Sequence, residues 1–252
     1  MPKAYLDRIF GTTLEAYRMN GKLILFASVP FLLVVPLLFL LPNYASLGAL
    51  FLRYGSVPGN LDFAGMAFIL AVYLASLLLS SFAIASINVV IRSQRTLNRL
   101  THYEVQHIET AALRLFVVYL TATAVILAAN LLLLDAQILW NGQSVALQPV
   151  LGSLLSFLVA GAVLFAPQSI AVEDTPVAKA VAKSTAFMLR KPALFVSFLV
   201  AASLLFVAND ALFLVVLPQG ARLATLLVSG FLIIPFLEVF KSQLFLSKYN
   251  LI

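Results

Sequence analysis

The stretch "IAVEDTPVAKAVAKSTAFMLRKPALF", residues 170–195, decides how the chain is read. Apolar runs flank it, yet it sets Glu173 beside Asp174, then Pro176, then spaces Lys179, Lys183, Arg190 and Lys191 through a segment rich in alanine. On a helical period Val177, Val181, Ser184 and Met188 share one face, and Lys179, Lys183, Ala186 and Arg190 share another. Asp174 or Thr175 stands at the N-cap, Pro176 lies just inside the start, and Pro192 follows the end. The acids then lie at the positive end of the helix dipole, with Arg190 and Lys191 at the negative end. The spacing predicts an amphipathic helix at a membrane interface, its acids structural and not catalytic.

The rest of the chain supplies the membrane. Of its 252 residues 62% are hydrophobic and only 10% charged, and the mean hydropathy is +1.04. A soluble domain carries about 25% charged residues. The excess apolar surface does not fit inside one water-soluble core, so part of the solvent is lipid. A spanning helix needs about 20 apolar residues. Six stretches qualify, at roughly 22–42, 62–91, 111–134, 150–172, 193–217 and 221–247. The predicted fold is all-α: a polytopic six-helix bundle forming one transmembrane domain over 1–252. The first 22 residues place Asp7 and Glu15 ahead of an apolar run long enough to remain a span, which argues against a cleaved leader.

Lysine and arginine placement predicts orientation. Lys3, Arg8, Arg18 and Lys22 precede the first span; Arg92, Arg95, Arg99 and Arg114 cluster between the second and third. Lys179, Lys183, Arg190 and Lys191 lie between the fourth and fifth, and Lys241 and Lys248 near the end. Only Arg53 and Arg222 fall on the other side. Both termini are therefore predicted to be cytoplasmic, in the cell membrane. The formal charge of +6 then reflects topology and attraction to anionic lipid, and no nucleic-acid partner is expected.

Two other basic segments share the pattern. In 92–112, Arg92, Arg95, Arg99, His102, Gln106 and Glu109 oppose Leu97, Thr101, Val105, Ile108 and Ala112, and "THYE" at 101–104 reads as a capping box. In the N-terminal segment Leu6, Ile9, Phe10, Thr13 and Tyr17 oppose Arg8, Glu15, Arg18 and Lys22. Three cytoplasmic interfacial helices, each before an odd-numbered span, predict a three-fold helical-hairpin repeat, one of pattern and not of identity. On the outer side, residues 43–61 form a loop, "PQGA" at 218–221 a tight turn, and "ILWNGQSVAL" a hairpin around Asn141 and Gly142, with Trp140 at the interface.

Catalytic signatures are missing. The absence of cysteine excludes disulfides and thiolate chemistry. His102 and His107 are five apart, a spacing that turns them away from each other on a helix and leaves no shared metal face. There is no HExxH, GxSxG or phosphate-binding glycine loop. The serines of "SLLLSSFAIAS" lack a base and read as helix contacts. No cofactor or metal is expected. Polar residues at membrane depth remain as candidates: Asn88, Asn130, Asn209 and Asp210, with Asn130 and Asn209 placed to meet across helices. They read as polar contacts between spans or, alternatively, as the lining of a solute path. Glu238 precedes Lys241 by three residues and reads as an ion pair on one helix. Pro30, Pro36, Pro42, Pro167 and Pro235 predict kinks, and Gly152, Ser156 and Ala160 a small-residue packing ridge.

The segment "LFAPQSIAVEDTPVAKAVAKSTAFMLRKPALFVSFLVA" resembles part of a group of six-span prokaryotic proteins. The group comprises the membrane domain attached to some glycerophosphodiester phosphodiesterases and stand-alone relatives. The matching residues are Pro167, Glu173, Asp174, Ala180, Ser184, Phe187 and Arg190. The resemblance implies an accessory membrane module; the phosphodiesterase domain has no counterpart here, so it implies no hydrolase chemistry. The expected function is that of a non-catalytic scaffold or accessory subunit of a membrane complex. Its partners would be membrane lipids and other membrane subunits or further copies of itself. Lys179, Lys183, Arg190, Arg92, Arg95 and Arg99 are the predicted lipid or partner contacts. The alternative is a small-solute or lipid permease with a polar path near Asn88, Asn130 and Asn209; an intramembrane enzyme ranks third.

Overall fold

The computed structural model describes residues 3–39, 63–95, 102–133, 137–140, 143–146, 148–216 and 221–247. Among them, five helices are long and apolar enough to cross a membrane: Phe63–Arg92, Gln106–Leu132, Val150–Val172, Pro192–Val216 and Leu223–Leu246. These match the second to sixth expected spans within a few residues. The first expected span, 22–42, is described only as far as 39. There it divides between α1 (Lys3–Ala27) and α2 (Val29–Phe39). The break falls at Ser28, whose hydroxyl donates to the Ile24 carbonyl while Pro30, two residues on, lacks a backbone donor.

The N-terminal amphipathic segment is thus continuous with the helix that leads toward the first span. The 92–112 segment also departs from expectation. Among the described residues, Arg92–Arg95 end α3 (Phe63–Arg95) and His102 opens α4 (His102–Leu132), so the described parts of the stripe extend two spans. Residues 96–101, which include Arg99 and the start of the expected capping box, lie outside the described residues, as do the expected loops at 43–61 and 218–220. Beyond α4, β1 (Gln137–Trp140) pairs antiparallel with β2 (Gln143–Ala146), Trp140 opposite Gln143. Asn141 and Gly142, expected to form the hairpin's turn, lie outside the described residues.

Two spans are interrupted where proline intrudes. After α5 (Gln148–Val163) the backbone tightens at Leu164, whose N–H reaches only the Gly161 carbonyl, then widens into a π turn at Gln168–Val172. Pro167 lies between the two, its ring incompatible with a regular turn over Val163. The Phe165 N–H released by this kink donates to Ser184 Oγ at 3.0 Å. The last span repeats the device: α8 (Ala221–Val228) passes through a π turn at Ser229–Ile233 into α9 (Ile234–Leu246), with Pro235 in its first turn.

The expected amphipathic helix exists as α6 (Val177–Arg190). Its buried positions are Ala180, Ser184 and Phe187, and Val177, Val181 and Met188 pack beside them, close to the face expected. It does not lie free on a surface. It folds back antiparallel along the end of the fourth span, bringing Ser184 to Phe165 and Met188 to Gly161. A Cβ on Gly161 would meet Met188 Sδ at 2.8 Å and a Phe195 ring carbon at 3.2 Å, so glycine sets how closely α6 and the start of α7 (Pro192–Val216) approach.

The expected cap is also replaced. Pro176 stands at the N-cap, and no side chain bonds the first turn. Thr175 Oγ1 donates to the Ser169 carbonyl at 2.8 Å. Glu173 pairs with Lys183 and Asp174 with Arg114, each at 2.7 Å. Asp174 adopts φ +50°, a left-handed conformation that aspartate tolerates better than most residues. The acids fix the turn between span and helix by reaching across it.

The core centres on α9, which is buried along nearly its whole length. Of the five spans the last is the most enclosed and α7 the least, so α9 is the central strut and α7 the most peripheral. Around it packs an aromatic cluster of Phe165, Phe187, Phe198, Phe240 and Phe245. Large apolar side chains such as Leu204, Val207 and Leu214 on α7 remain exposed, as lipid-facing positions do.

Candidate functional site

Five polar side chains meet between α3, the first π turn and α9. Asn88, Gln168 and Ser242 are fully buried, and Glu238 and Lys241 nearly so. Glu238 Oε1 pairs with Lys241 Nζ at 2.5 Å. Glu238 Oε2 accepts from Asn88 Nδ2 and from Gln168 Nε2, each at 3.1 Å. Asn88 Oδ1 accepts from Ser242 Oγ at 2.8 Å and from Gln168 Nε2 at 3.2 Å. Lys241 also donates to the Leu164 carbonyl at 3.3 Å, within the kinked segment.

Each member arrives by local necessity. Glu238, Lys241 and Ser242 occupy i, i+3 and i+4 of one helix and therefore one face. Gln168 reaches the network from the turn widened after Pro167. Asn88 comes from α3 one turn before Arg92. The carboxylate's two oxygens and the amides' donors are matched to one another. One acceptor is left over: Gln168 Oε1 is buried, and no described residue donates to it. A buried ion pair gains little net stability, since the desolvation of two charges roughly offsets their attraction. Its presence in an apolar bundle marks a place where the chain keeps charge for specificity or function.

A second polar layer lies one turn further along α3. Arg92 Nη1 stands 2.7 Å from His107 Nε2, and both approach the Ala171 carbonyl, at 3.4 and 3.0 Å. These contacts tie the ends of α3 and α4 to the first π turn. Among the described residues no three histidines or acids group as metal ligands.

The residues singled out from sequence are distributed over several places. Asn88 is central to the network. Asn130 and Asn209 do not meet: Asn130 donates to the Ile126 carbonyl and Ser156 Oγ between α4 and α5, whereas Asn209 donates to the Thr225 carbonyl and Ser229 Oγ between α7 and α8. Asp210 is exposed. The Gly152 and Ser156 ridge does receive α4; a Cβ on Gly152 would fall on the Asn130 amide. Of the basic residues, Lys179 and Arg190 are exposed, while Lys183 is occupied by Glu173 and Arg92 by His107 and the Ala171 carbonyl. Arg95 ends α3, its side chain outside the described residues, and Arg99 lies wholly outside them. Ser76, Ser81 and Ser86 of α3 donate to carbonyls four residues earlier on their own helix. Gln168 and Ser242 were not anticipated. The one available signal was their position, beside Pro167 and four residues after Glu238.

Compared with protein-family models, with curated proteins and with solved structures, the chain matches none.

Proposed function

We propose that the protein is a non-catalytic scaffold or accessory subunit of the cell membrane. In this reading it has six spans, cytoplasmic termini, and a basic end that binds anionic lipid and neighbouring subunits. The observation that carries the reading is α6: Ala180, Ser184 and Phe187 are locked into the bundle while Lys179, Arg190 and the adjoining Lys191 point outward. A docked helix presenting exposed bases at the end richest in lysine and arginine is suited to headgroups or an acidic partner surface. The Asn88–Gln168–Glu238–Lys241 network supports it by fastening three spans together. The resemblance to accessory membrane domains points the same way.

Replacing Lys179, Arg190 and Lys191 together with glutamine is expected to leave folding intact and weaken flotation with anionic vesicles, most visibly at low salt. Zwitterionic vesicles should show no difference. Lys183→Gln, which breaks the Glu173 pair, should instead loosen the turn without this selective loss. Native purification with quantitative mass spectrometry should show membrane subunits at fixed stoichiometry in the parent and less of them in the triple variant. Unchanged flotation and unchanged recovery at every salt concentration would refute the role assigned to α6.

A small-solute or lipid permease is the second reading. The charged network inside the bundle favours it, in place of the expected path, whose three asparagines occupy three separate contacts.

A further inference from the structure

We infer that the exposed face of α7 docks a membrane-spanning helix of another subunit, one that carries an arginine or lysine at the depth of Asp210. Among the described residues of the five spans, Asp210 is the one exposed charge lying more than a full turn from a span's end. No described residue donates to it, whereas its neighbour Asn209 is engaged with Thr225 and Ser229. An ionisable side chain inside a span ordinarily faces the bundle or water and pairs there, because lipid tails offer no hydrogen bond. Lysine and arginine escape this by reaching to the headgroups along a long stem. Aspartate has no such stem, so its carboxylate stays at the depth the backbone gives it.

The row of side chains through Asp210 suits a second helix. Val196, Val200, Ser203 and Val207 precede it and Leu214 follows, at spacings that alternate four and three, and all are exposed. Such a row runs along one side of a helix and forms the seam against which another helix packs with a slight left-handed wrap. Ser203 at its middle allows a close approach. Charge then decides which helix. A second copy in the same orientation would bring two Asp210 carboxylates together across a two-fold axis, where like charges repel. Lipid covers the valines but gives the carboxylate no donor. An arginine or lysine on a different subunit supplies both donor and opposite charge, and the pair enters the interface neutral. The inference rests on the reading of the protein as a subunit of a membrane complex, and it adds a contact inside the bilayer, separate from the basic face of α6.

The test uses the full chain, labelled at a single cysteine by Gln143→Cys, in zwitterionic vesicles with a dye-labelled synthetic helix of leucine and valine. That helix matches α7 in length and carries one arginine as far from its end as Asp210 lies from Val216; its control carries leucine there. Energy transfer is expected to show the arginine helix binding the parent roughly ten-fold or more tightly than the control. Asp210→Leu should abolish this preference yet melt at the parent's temperature, since no described contact in the bundle depends on the carboxylate. The glutamine variant at Lys179, Arg190 and Lys191 should keep the preference, so failure of the α6 reading and failure of this one show separately. Equal binding of the two helices by the parent would overturn the inference, as would a preference that survives Asp210→Leu. A preference that emerges only with Arg222→Gln would overturn it too, by pairing Asp210 within the chain. Energy transfer between copies of the chain alone, abolished by Asp210→Leu, would assign the face to self-association instead.

Discussion

Replacing Glu238 or Lys241 singly with glutamine is expected to destabilise the bundle by about 3–5 kcal/mol. Each single change leaves one charge buried among apolar groups. Glu238→Gln strands an ammonium whose remaining contact is the Leu164 carbonyl, and Lys241→Gln strands a carboxylate held only by two amides. The double variant should recover most of the loss, because neutral amides of similar volume can take over the hydrogen bonds. A double-mutant cycle in thermal or chemical unfolding reads the coupling directly. Additive losses would show that the two side chains do not act as a pair.

Phe165→Ala should cost a similar amount, about 3–5 kcal/mol, the range for deleting a fully buried aromatic ring. Phe165 lies with its ring 4.6 Å from Phe187, 6.1 Å from Phe198 and 6.3 Å from Phe245, so it joins the fourth span to α6, α7 and α9 at once. Loss of the ring should also release α6, seen as faster tryptic cleavage after Lys179, Lys183 or Arg190. Leu204→Ala, on the exposed face of α7, serves as the contrast and should change stability by less than about 0.5 kcal/mol.

Hydropathy placed five of the spans within a few residues, because burial in lipid is a property of contiguous composition. Periodicity found α6 and most of its buried face for a related reason: both are local. What it missed is instructive. The polar stripe through 92–112 is shared between α3 and α4, because helical phase alone does not assign residues to one helix or the next. Asp174 and Thr175 looked like caps, yet longer-range partners won. Arg114 is sixty residues from Asp174 in sequence, and no local pattern announces that pair. Asn130 and Asn209, expected at a similar depth, have separate partners, since sequence gives position along a span and not the direction a side chain takes around it. The Glu238–Lys241 pair was legible from its spacing of three, whereas its link to Asn88 and Gln168 depends on contacts between distant spans.

The account rests on the basic end of the bundle, with α6, facing the cytoplasm. The chain has no native cysteine, so single replacements report cleanly. Cysteine at Gln143, in the hairpin, and cysteine at Lys179, exposed on α6, should be compared in intact cells with a membrane-impermeant thiol reagent. The predicted result is labelling at 143 and protection at 179 until the membrane is opened. Labelling at 179 with protection at 143 would invert the topology and remove the cytoplasmic binding face from which the function is argued.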